Sequence, residues 1–178
     1  MRRGLQHALD DYLVLLAQAG DRDAFGRLAA RWTPRLAAFA TRALNDQESA
    51  HDVAQDIWEA ALRGLGRLED PAKFPAWIYS IAHRKCADVL RARYRSRVAP
   101  EPEAASGDSE SEAAAQLDLG AALKALPPEQ RIAVSLFFGE DMSVADIATA
   151  TGVSPGTVKS RLFAAREKLR AHMKGERS

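Results

Sequence analysis

Residues 143–169 read SVADIATATGVSPGTVKSRLFAAREKL, and this stretch predicts two short helices joined by a tight turn. Gly152 supplies the positive φ angle that such a turn needs and that residues with a Cβ avoid. Ser154 is a favoured N-cap residue, and Pro155 stands at the first helical position, where its missing N–H has no cost. This layout predicts a helix-turn-helix, in which the second helix lies in the major groove of DNA.

The second predicted helix has one apolar and one polar face. Val158, Leu162, Ala165 and Leu169 recur at helical spacing, which predicts that they share one buried face. Val158 also has, with Val153, the spacing of a hydrophobic staple. The positions on the other side are Thr157, Lys159, Ser160, Arg161 and Phe163. The alternative explanation is a generic helical hairpin with a solvated basic face.

The net charge of +1 conceals a strong charge pattern along the 178 residues. Residues 84–97 hold six cations and one anion, and residues 99–118 hold six anions and no cation. The chain becomes basic again from Lys159 onward. A basic–acidic–basic pattern indicates partners of opposite charge along different segments, nucleic acid among them.

The composition argues against several classes of site. A single cysteine, Cys86, rules out an internal disulfide, and the four histidines lack the spacing of metal ligands. No serine elbow or phosphate-binding glycine loop accompanies them, so we expect no catalytic site, metal or cofactor. Asp10 and Asp11 interrupt the only segment that resembles a signal peptide. Because no run approaches the roughly 20 apolar residues of a membrane span, we expect a cytoplasmic protein without membrane insertion.

Helical periodicity without strand signals predicts an all-α fold. Residues 99–115 are rich in Pro, Glu, Ser, Gly and Ala, which predicts a flexible acidic linker. The predicted organisation is therefore two small helical domains, 11–98 and 116–173, joined by the linker 99–115. The helices expected before the linker cover 11–19, a segment from Asp21 that Pro34 breaks or kinks, a segment after Asn45-Asp46, and Phe74–Tyr94.

The third predicted helix separates apolar from polar residues. Its inward face is predicted to carry Val53, Ile57, Ala61, Leu62 and Leu65. Its other face carries Asp52, Gln55, Asp56 and Glu59. Charged faces are usually only solvated, so this face carries no function by itself.

The fourth predicted helix carries a cationic stripe. Ser80, Arg84, Arg91 and Arg95 lie on one helical face with Trp77 at its start. Cations beside an exposed aromatic ring can follow phosphates while the ring stacks on an unpaired base, as single-stranded DNA requires. The alternative is that Trp77 belongs to the core and that the arginines are a solvated surface.

Four motifs together resemble one family, the extracytoplasmic-function (ECF) group of bacterial RNA polymerase sigma factors. AHDVAQD at 50–56 is similar to the family's region 2.2, and FPAWIYSIA at 74–82 to regions 2.3 and 2.4. LPPEQR at 126–131 resembles the opening of region 4, and SPGTVKSRL at 154–162 its core. The chain shows no extra N-terminal or middle domain of the housekeeping type, which favours the ECF group.

The resemblance implies three contact surfaces. Core RNA polymerase, at its β′ clamp helices, would bind Asp52, Gln55, Asp56 and Glu59. The melted −10 element would bind Arg67, Asp70, Lys73, Trp77, Ser80, Arg84, Arg91 and Arg95. The duplex −35 element would bind Ser154, Thr157, Lys159, Ser160, Arg161, Phe163 and Arg166.

Further partners also follow from the resemblance. An apolar surface near Leu136–Phe138 would meet the β flap, the acidic linker would lie in the channel for nascent RNA, and an anti-sigma factor is an expected partner.

A linker of about 17 residues could stretch to about 55 Å, and a promoter spacer of about 17 base pairs covers roughly 58 Å at 3.4 Å per pair. With the width of each domain added, both domains can engage one promoter.

Three residues depart from the family pattern. Arg84 stands where the family often has Asn, Ala164 where relatives often carry Arg, and His51 where Glu is common.

Two other function classes compete with the sigma-factor hypothesis: a free-standing regulator that binds duplex sites as a dimer, and a helical enzyme. A regulator would need a dimerisation or ligand domain, and an enzyme would need a catalytic site.

Overall fold

The computed structural model describes residues 2–98 and 114–175, and these residues form helices joined by short turns. We call residues 2–98 the N-terminal unit and residues 114–175 the C-terminal unit. The helices are α1 (Arg2–Gln18), α2 (Arg22–Leu44), α3 (Gln47–Gly64), α4 (Phe74–Val98), α5 (Ala114–Ala125), α6 (Pro128–Val134), α7 (Val144–Thr151) and α8 (Pro155–Gly175). Two 3₁₀ turns (Leu65–Arg67, Pro71–Lys73) precede α4, and a π-helical turn (Ser135–Gly139) follows α6. The prediction of an all-α fold is confirmed for the described residues.

Side-chain caps set the ends of the first helices. The Asp21 carboxylate accepts hydrogen bonds from the backbone N–H groups of Asp23 and Ala24 at the start of α2. The helix ends at Asn45, which takes the left-handed conformation with φ 54°, and Asp46 then caps α3. These are the residue types that favour helix ends.

Of the two outcomes expected at Pro34, a break or a kink, the break does not occur. The helix is continuous from Arg22 to Leu44, although a proline removes one helical hydrogen bond. Trp32, Leu36 and Phe39 flank the proline and are buried together. Tertiary packing therefore outweighs the local cost.

An aromatic cluster forms the centre of the N-terminal unit. The Trp32 ring lies 5.1 Å from that of Phe74 and 6.1 Å from that of Tyr79, both in edge contacts. The inward face of α3 is confirmed with the exception of Leu62, which is exposed. Leu62 lies about 100° around the helix from Ala61, outside the buried stripe.

The predicted helix-turn-helix is present in the C-terminal unit. Gly152 ends α7 with φ 70°. The Ser154 hydroxyl accepts a hydrogen bond from the Thr157 N–H at 3.1 Å, and so caps α8. Val158 and Ala165 are buried on the inner face of α8, as their spacing predicts.

The two units pack against each other. One cluster of buried apolar residues contains side chains of both units, among them Tyr79 of α4 and Ile147 of α7. α7 lies along α4, and α6 and the π-helical turn lie against α2. Leu136, expected on an exposed surface, is fully buried in this shared core because its turn rests on α2. Residues 99–113 of the predicted linker lie outside the described residues.

Candidate nucleic-acid interface

The first turns of α8 present hydroxyl groups and one cation. Ser154 and Thr157 share a hydrogen bond of 2.9 Å between their hydroxyls, and the Ser160 hydroxyl donates to the Thr157 carbonyl at 2.9 Å. Lys159 is exposed beside them. Lys159 is therefore the cation of this helix start that is accessible to a DNA duplex.

Arg161 is held in a different way from Lys159. Its Nη2 lies 2.8 Å from Glu129 Oε2, and its side chain is 23% exposed. Further along α8, the Arg166 guanidinium lies 5.4 Å from the ring centroid of Phe163, and Phe163 is exposed. The structure thus places the predicted −35 residues on one helix but commits Arg161 to α6.

Trp77 is half-buried at the start of α4. Its ring centroid lies 5.9 Å from that of Phe74, and a Cβ added at Gly64 would lie 3.2 Å from Trp77 Cζ2. The Ser80 hydroxyl donates to the Trp77 carbonyl at 2.6 Å. Trp77 therefore lies between the two alternatives of an exposed aromatic and a core residue, because packing on Phe74 and the end of α3 covers part of the ring.

The arginines that follow Trp77 reach the surface. Arg84, Arg91 and Arg95 are exposed. Arg84 Nε donates to the Ser80 carbonyl at 3.2 Å, and Arg91 pairs with Asp88. Both contacts lie within α4, so they hold the cations along the helix and leave them accessible to phosphate.

The segment 65–73 is held by hydrogen bonds from Gln18, a residue that sequence reasoning missed. Gln18 Nε2 donates to the carbonyl of Leu65 at 2.9 Å and to that of Leu68 at 2.6 Å. Its position at the end of a helix gives no signal of this role. In the same segment, the predicted contacts Arg67, Asp70 and Lys73 are exposed.

The polar face of α3 is open to solvent. Asp52, Gln55, Asp56 and Glu59 are all exposed, and Asp56 lies 3.2 Å from Lys85 Nζ of α4. The opposite face of the helix is buried. Four accessible acceptor side chains on one rigid helix can bind a basic protein surface.

Two family matches cover most of both units. Residues 28–96 match the family described as "Sigma-70 region 2", and residues 116–169 match "Sigma-70, region 4". The chain is 35% identical over 168 residues to "ECF RNA polymerase sigma factor SigM" of Mycobacterium tuberculosis, which covers 93% of this chain and 86% of that relative. The chain belongs to the ECF group of RNA polymerase sigma factors. It thus directs promoter recognition and transcription initiation by RNA polymerase.

Other comparisons agree with this membership. The sigma factor is 32% identical over 176 residues to "RNA polymerase sigma-H factor" of Pseudomonas aeruginosa, across 90% of this chain and 91% of that relative. Among solved structures, CnrH in complex with the cytosolic domain of CnrY is similar with a TM-score of 0.71 and 28% identity, over 94% of this chain and 98% of that chain. RpoE of Bartonella quintana in complex with the anti-sigma factor NepR gives a TM-score of 0.70 and 27% identity, over 84% and 96%.

Three further observations concern the described residues of the sigma factor. Within 2–98 and 114–175 no group of three histidine, cysteine or acidic side chains is arranged to hold a metal ion. No helix in these ranges has the length and apolarity to cross a membrane. The Cys86 thiol is buried, and this burial raises its pKa to about 12.

Proposed function

We propose that this sigma factor binds core polymerase through the exposed face of α3, holds the melted −10 element on α4 and segment 65–73, and reads the −35 element with α8. The observation that carries the proposal is the arrangement of α3. It buries one face completely in region 2 and exposes Asp52, Gln55, Asp56 and Glu59 on the other. The binding site proposed on the polymerase is the pair of β′ clamp helices.

The polymerase interface is tested by charge reversal. Asp52→Lys combined with Asp56→Lys should abolish co-elution with core polymerase in size-exclusion chromatography, because an attractive surface becomes repulsive. Asp23→Lys reverses an exposed charge on α2 and should leave co-elution unchanged. Circular dichroism checks that the helices persist. If the double variant still co-elutes, α3 is not the docking face.

The single-stranded −10 element is proposed to lie along the arginine stripe of α4, with one base on the accessible part of Trp77. Stacking of a base on an aromatic ring is worth about 1–3 kcal/mol. Arg67, Asp70 and Lys73 then supply donors and acceptors for a base that leaves the duplex. The fluorescence of 2-aminopurine at −10 reports this step. If variants of segment 65–73 unstack the base as fast as wild type, the segment is only a connector.

An apolar groove on region 4 is the proposed contact for the β flap. Phe138 is 74% exposed at its rim, and the groove has a volume of about 440 Å³. Phe163, a predicted DNA contact, lines the same groove. We expect Phe138→Ala to weaken polymerase binding and to leave −35 base preference unchanged; Phe163→Ala decides whether that ring serves DNA, the flap or both.

An anti-sigma factor is a further proposed partner, since the similar chains CnrH and RpoE were solved with a bound CnrY domain and with NepR. The sigma-factor family also supports a cytoplasmic location and the absence of enzymatic activity. Affinity capture of the tagged protein from uninduced cells tests the partner. Recovery of polymerase subunits alone would count against an anti-sigma factor.

The competing hypothesis of a free-standing regulator is separated by gel shift. Our proposal predicts poor binding of promoter duplex by the protein alone and specific binding after core polymerase is added. Tight, sequence-specific binding by the free protein at physiological salt would favour the regulator.

A further inference from the structure

Glu140 is a buried carboxylate at the boundary between region 2 and region 4. It follows the π-helical turn, and its side chain is 5% exposed. Its Oε2 accepts a hydrogen bond from Arg35 Nε at 3.0 Å, and its Oε1 accepts one from Arg42 Nη2 at 3.1 Å. Both arginines belong to α2, so both ion pairs join the two regions.

The three charges differ in their access to water. Arg35 and Arg42 are more than one-third exposed, and the Arg35 guanidinium also stacks 4.1 Å from the Trp32 ring centroid. Both guanidinium groups would stay in partial contact with water without Glu140, although the Nε atom of Arg42 is buried. The carboxylate would not, because burying an unpaired charge is strongly unfavourable. Glu140 therefore depends on its arginines, while each arginine depends little on Glu140.

The surroundings of this cluster belong to the contact between the regions. Tyr79 of α4 faces Glu140 and is fully buried; burial, and then the negative charge of Glu140, raise the pKa of its hydroxyl. Gly139 leaves room for Arg42, because a Cβ there would lie 3.2 Å from Arg42 Nη2. The apolar contact of α4 with α7 closes the same boundary.

This closed arrangement cannot serve both promoter elements. Packed helices lie about 8–10 Å apart, whereas the two promoter elements are separated by roughly 58 Å of duplex at 3.4 Å per base pair. Region 4 also stands beside the −10 surface, since Arg91 and Arg95 share a groove of about 490 Å³ with Pro128 and Glu129 of α6. The regions must separate before both elements are bound.

We propose that Glu140, Arg35 and Arg42 form an interdomain latch that keeps region 4 packed on region 2 and so holds the free sigma factor in a state unable to span a promoter. The inference rests on the proposed function for its consequence, but the latch itself is a property of the free chain. When the arginines lose their charge, Glu140 regains solvation by leaving the boundary, and the open state becomes populated.

The latch is tested by energy transfer within the full chain. Dyes are attached to Arg27→Cys on α2 and Lys168→Cys on α8, both exposed positions, in a Cys86→Ser background. We expect the transfer efficiency to fall in Arg35→Gln/Arg42→Gln. The matched control, Arg22→Gln/Arg63→Gln, removes one exposed cation each from α2 and α3 and should leave the efficiency unchanged.

A third substitution separates the latch from general destabilisation. Adding Glu140→Gln to Arg35→Gln/Arg42→Gln removes the charge that needs water, so the apolar α4–α7 contact should restore the high efficiency. If Arg35→Gln/Arg42→Gln loses its helical circular dichroism, Arg42→Gln with and without Glu140→Gln supplies the same comparison. An unchanged efficiency in the arginine variant, or a failure of Glu140→Gln to restore it, would overturn the proposal.

The affinity for core polymerase measures the functional consequence of the latch. The proposed contacts on the polymerase, the β′ clamp helices for region 2 and the β flap for region 4, are separate, so we expect only the open state to make both. If the closed state is about 90% populated, an opened variant should then bind core polymerase about tenfold more tightly, because apparent affinity scales with the competent fraction. Energy transfer is measured without polymerase. If the energy-transfer results are as expected but the protein does not bind polymerase, the proposed function is contradicted and the latch stands. If an opened variant binds polymerase with unchanged affinity, the inhibitory role of the latch is overturned.

Discussion

The guanidinium of Arg161 lies 2.8 Å from the carboxylate of Glu129, and this ion pair joins the recognition helix α8 to α6 within region 4. Because Glu129 belongs to the first turn of α6, the pair joins the first turn of α6 to α8. Arg161 is thus engaged within region 4, whereas Lys159 is exposed.

We first predict that Lys159→Ala and Arg161→Ala fail differently. Lys159→Ala should reduce −35 binding by about 1–3 kcal/mol at the base it contacts. Arg161→Ala and Glu129→Ala should each lower the free energy of unfolding by less than about 1 kcal/mol, as expected of a partly exposed pair, and weaken binding to all sequences alike. Binding by holoenzyme to a set of −35 variants checks this. A change of base preference in Arg161→Ala would assign it a direct base contact.

Gly64 offers a test of Trp77. Gly64→Ala places a Cβ 3.2 Å from Trp77 Cζ2 and should shift the ring by about a few tenths of an ångström. The open complex should then form more slowly on duplex promoters and recover on templates whose −10 bases are already mismatched. Gly66→Ala is the matched control, since a Cβ there meets nothing within 4 Å. Stopped-flow fluorescence measures the rate; equal rates for the two variants would contradict the prediction that melting depends on the exact position of the Trp77 ring.

Arg131 joins the ends of α5 and α2 and should be important for stability. Nearly buried, it donates to the carbonyls of Lys124 and Leu126 through Nη1 and to that of Ala43 through Nη2. Arg131→Met leaves these acceptors unpaired and should lower the free energy of unfolding by about 1–3 kcal/mol. Urea denaturation measures the loss against Arg170→Met, an exposed control. Matching stabilities would mean that water replaces the guanidinium.

The stability of the sigma factor should fall below pH 6.5 because of His83. Burial lowers the pKa of this histidine from 6.5, and the positive charge of Arg161 adds to the effect, while Glu129 opposes it. The unfolded chain then binds more protons between the lowered pKa and 6.5, so stability is complete above 6.5 and is lost as the pH falls through that window.

His83→Gln should flatten this dependence, whereas His51→Gln, at an exposed position of α3, should not. Thermal unfolding between pH 5 and 8 compares the two variants. A slope in His83→Gln equal to that of wild type would assign the effect to another group.

Local patterns predicted most of the elements and the position of the recognition helix. Ser154, Gly152 and Asp46 act through bonds to neighbouring residues, so their roles can be read from a few positions of sequence. The break expected at Pro34 is based on its local cost, the loss of a helical hydrogen bond. The burial of Trp32, which outweighs this cost, is a tertiary effect.

The relative placement of the regions could not be predicted in this way. Arg131 and Ala43 are 88 positions apart, and Glu140 meets Arg35 across 105. No periodicity connects such residues, and the sequence alone does not distinguish a buried glutamate from a solvated one. Arg161 was likewise identified as a cation of α8, but its partner on α6 depends on the packing of two helices.

The promoter specificity that this chain gives to core polymerase can be read from transcript start sites. Fragmented genomic DNA is transcribed by core polymerase with and without the purified protein, and the transcript 5′ ends are sequenced. We expect new start sites, present only with the protein, that share −35 and −10 sequences at one spacing and disappear with Asp52→Lys/Asp56→Lys. Start sites that are identical with and without the protein would contradict this prediction.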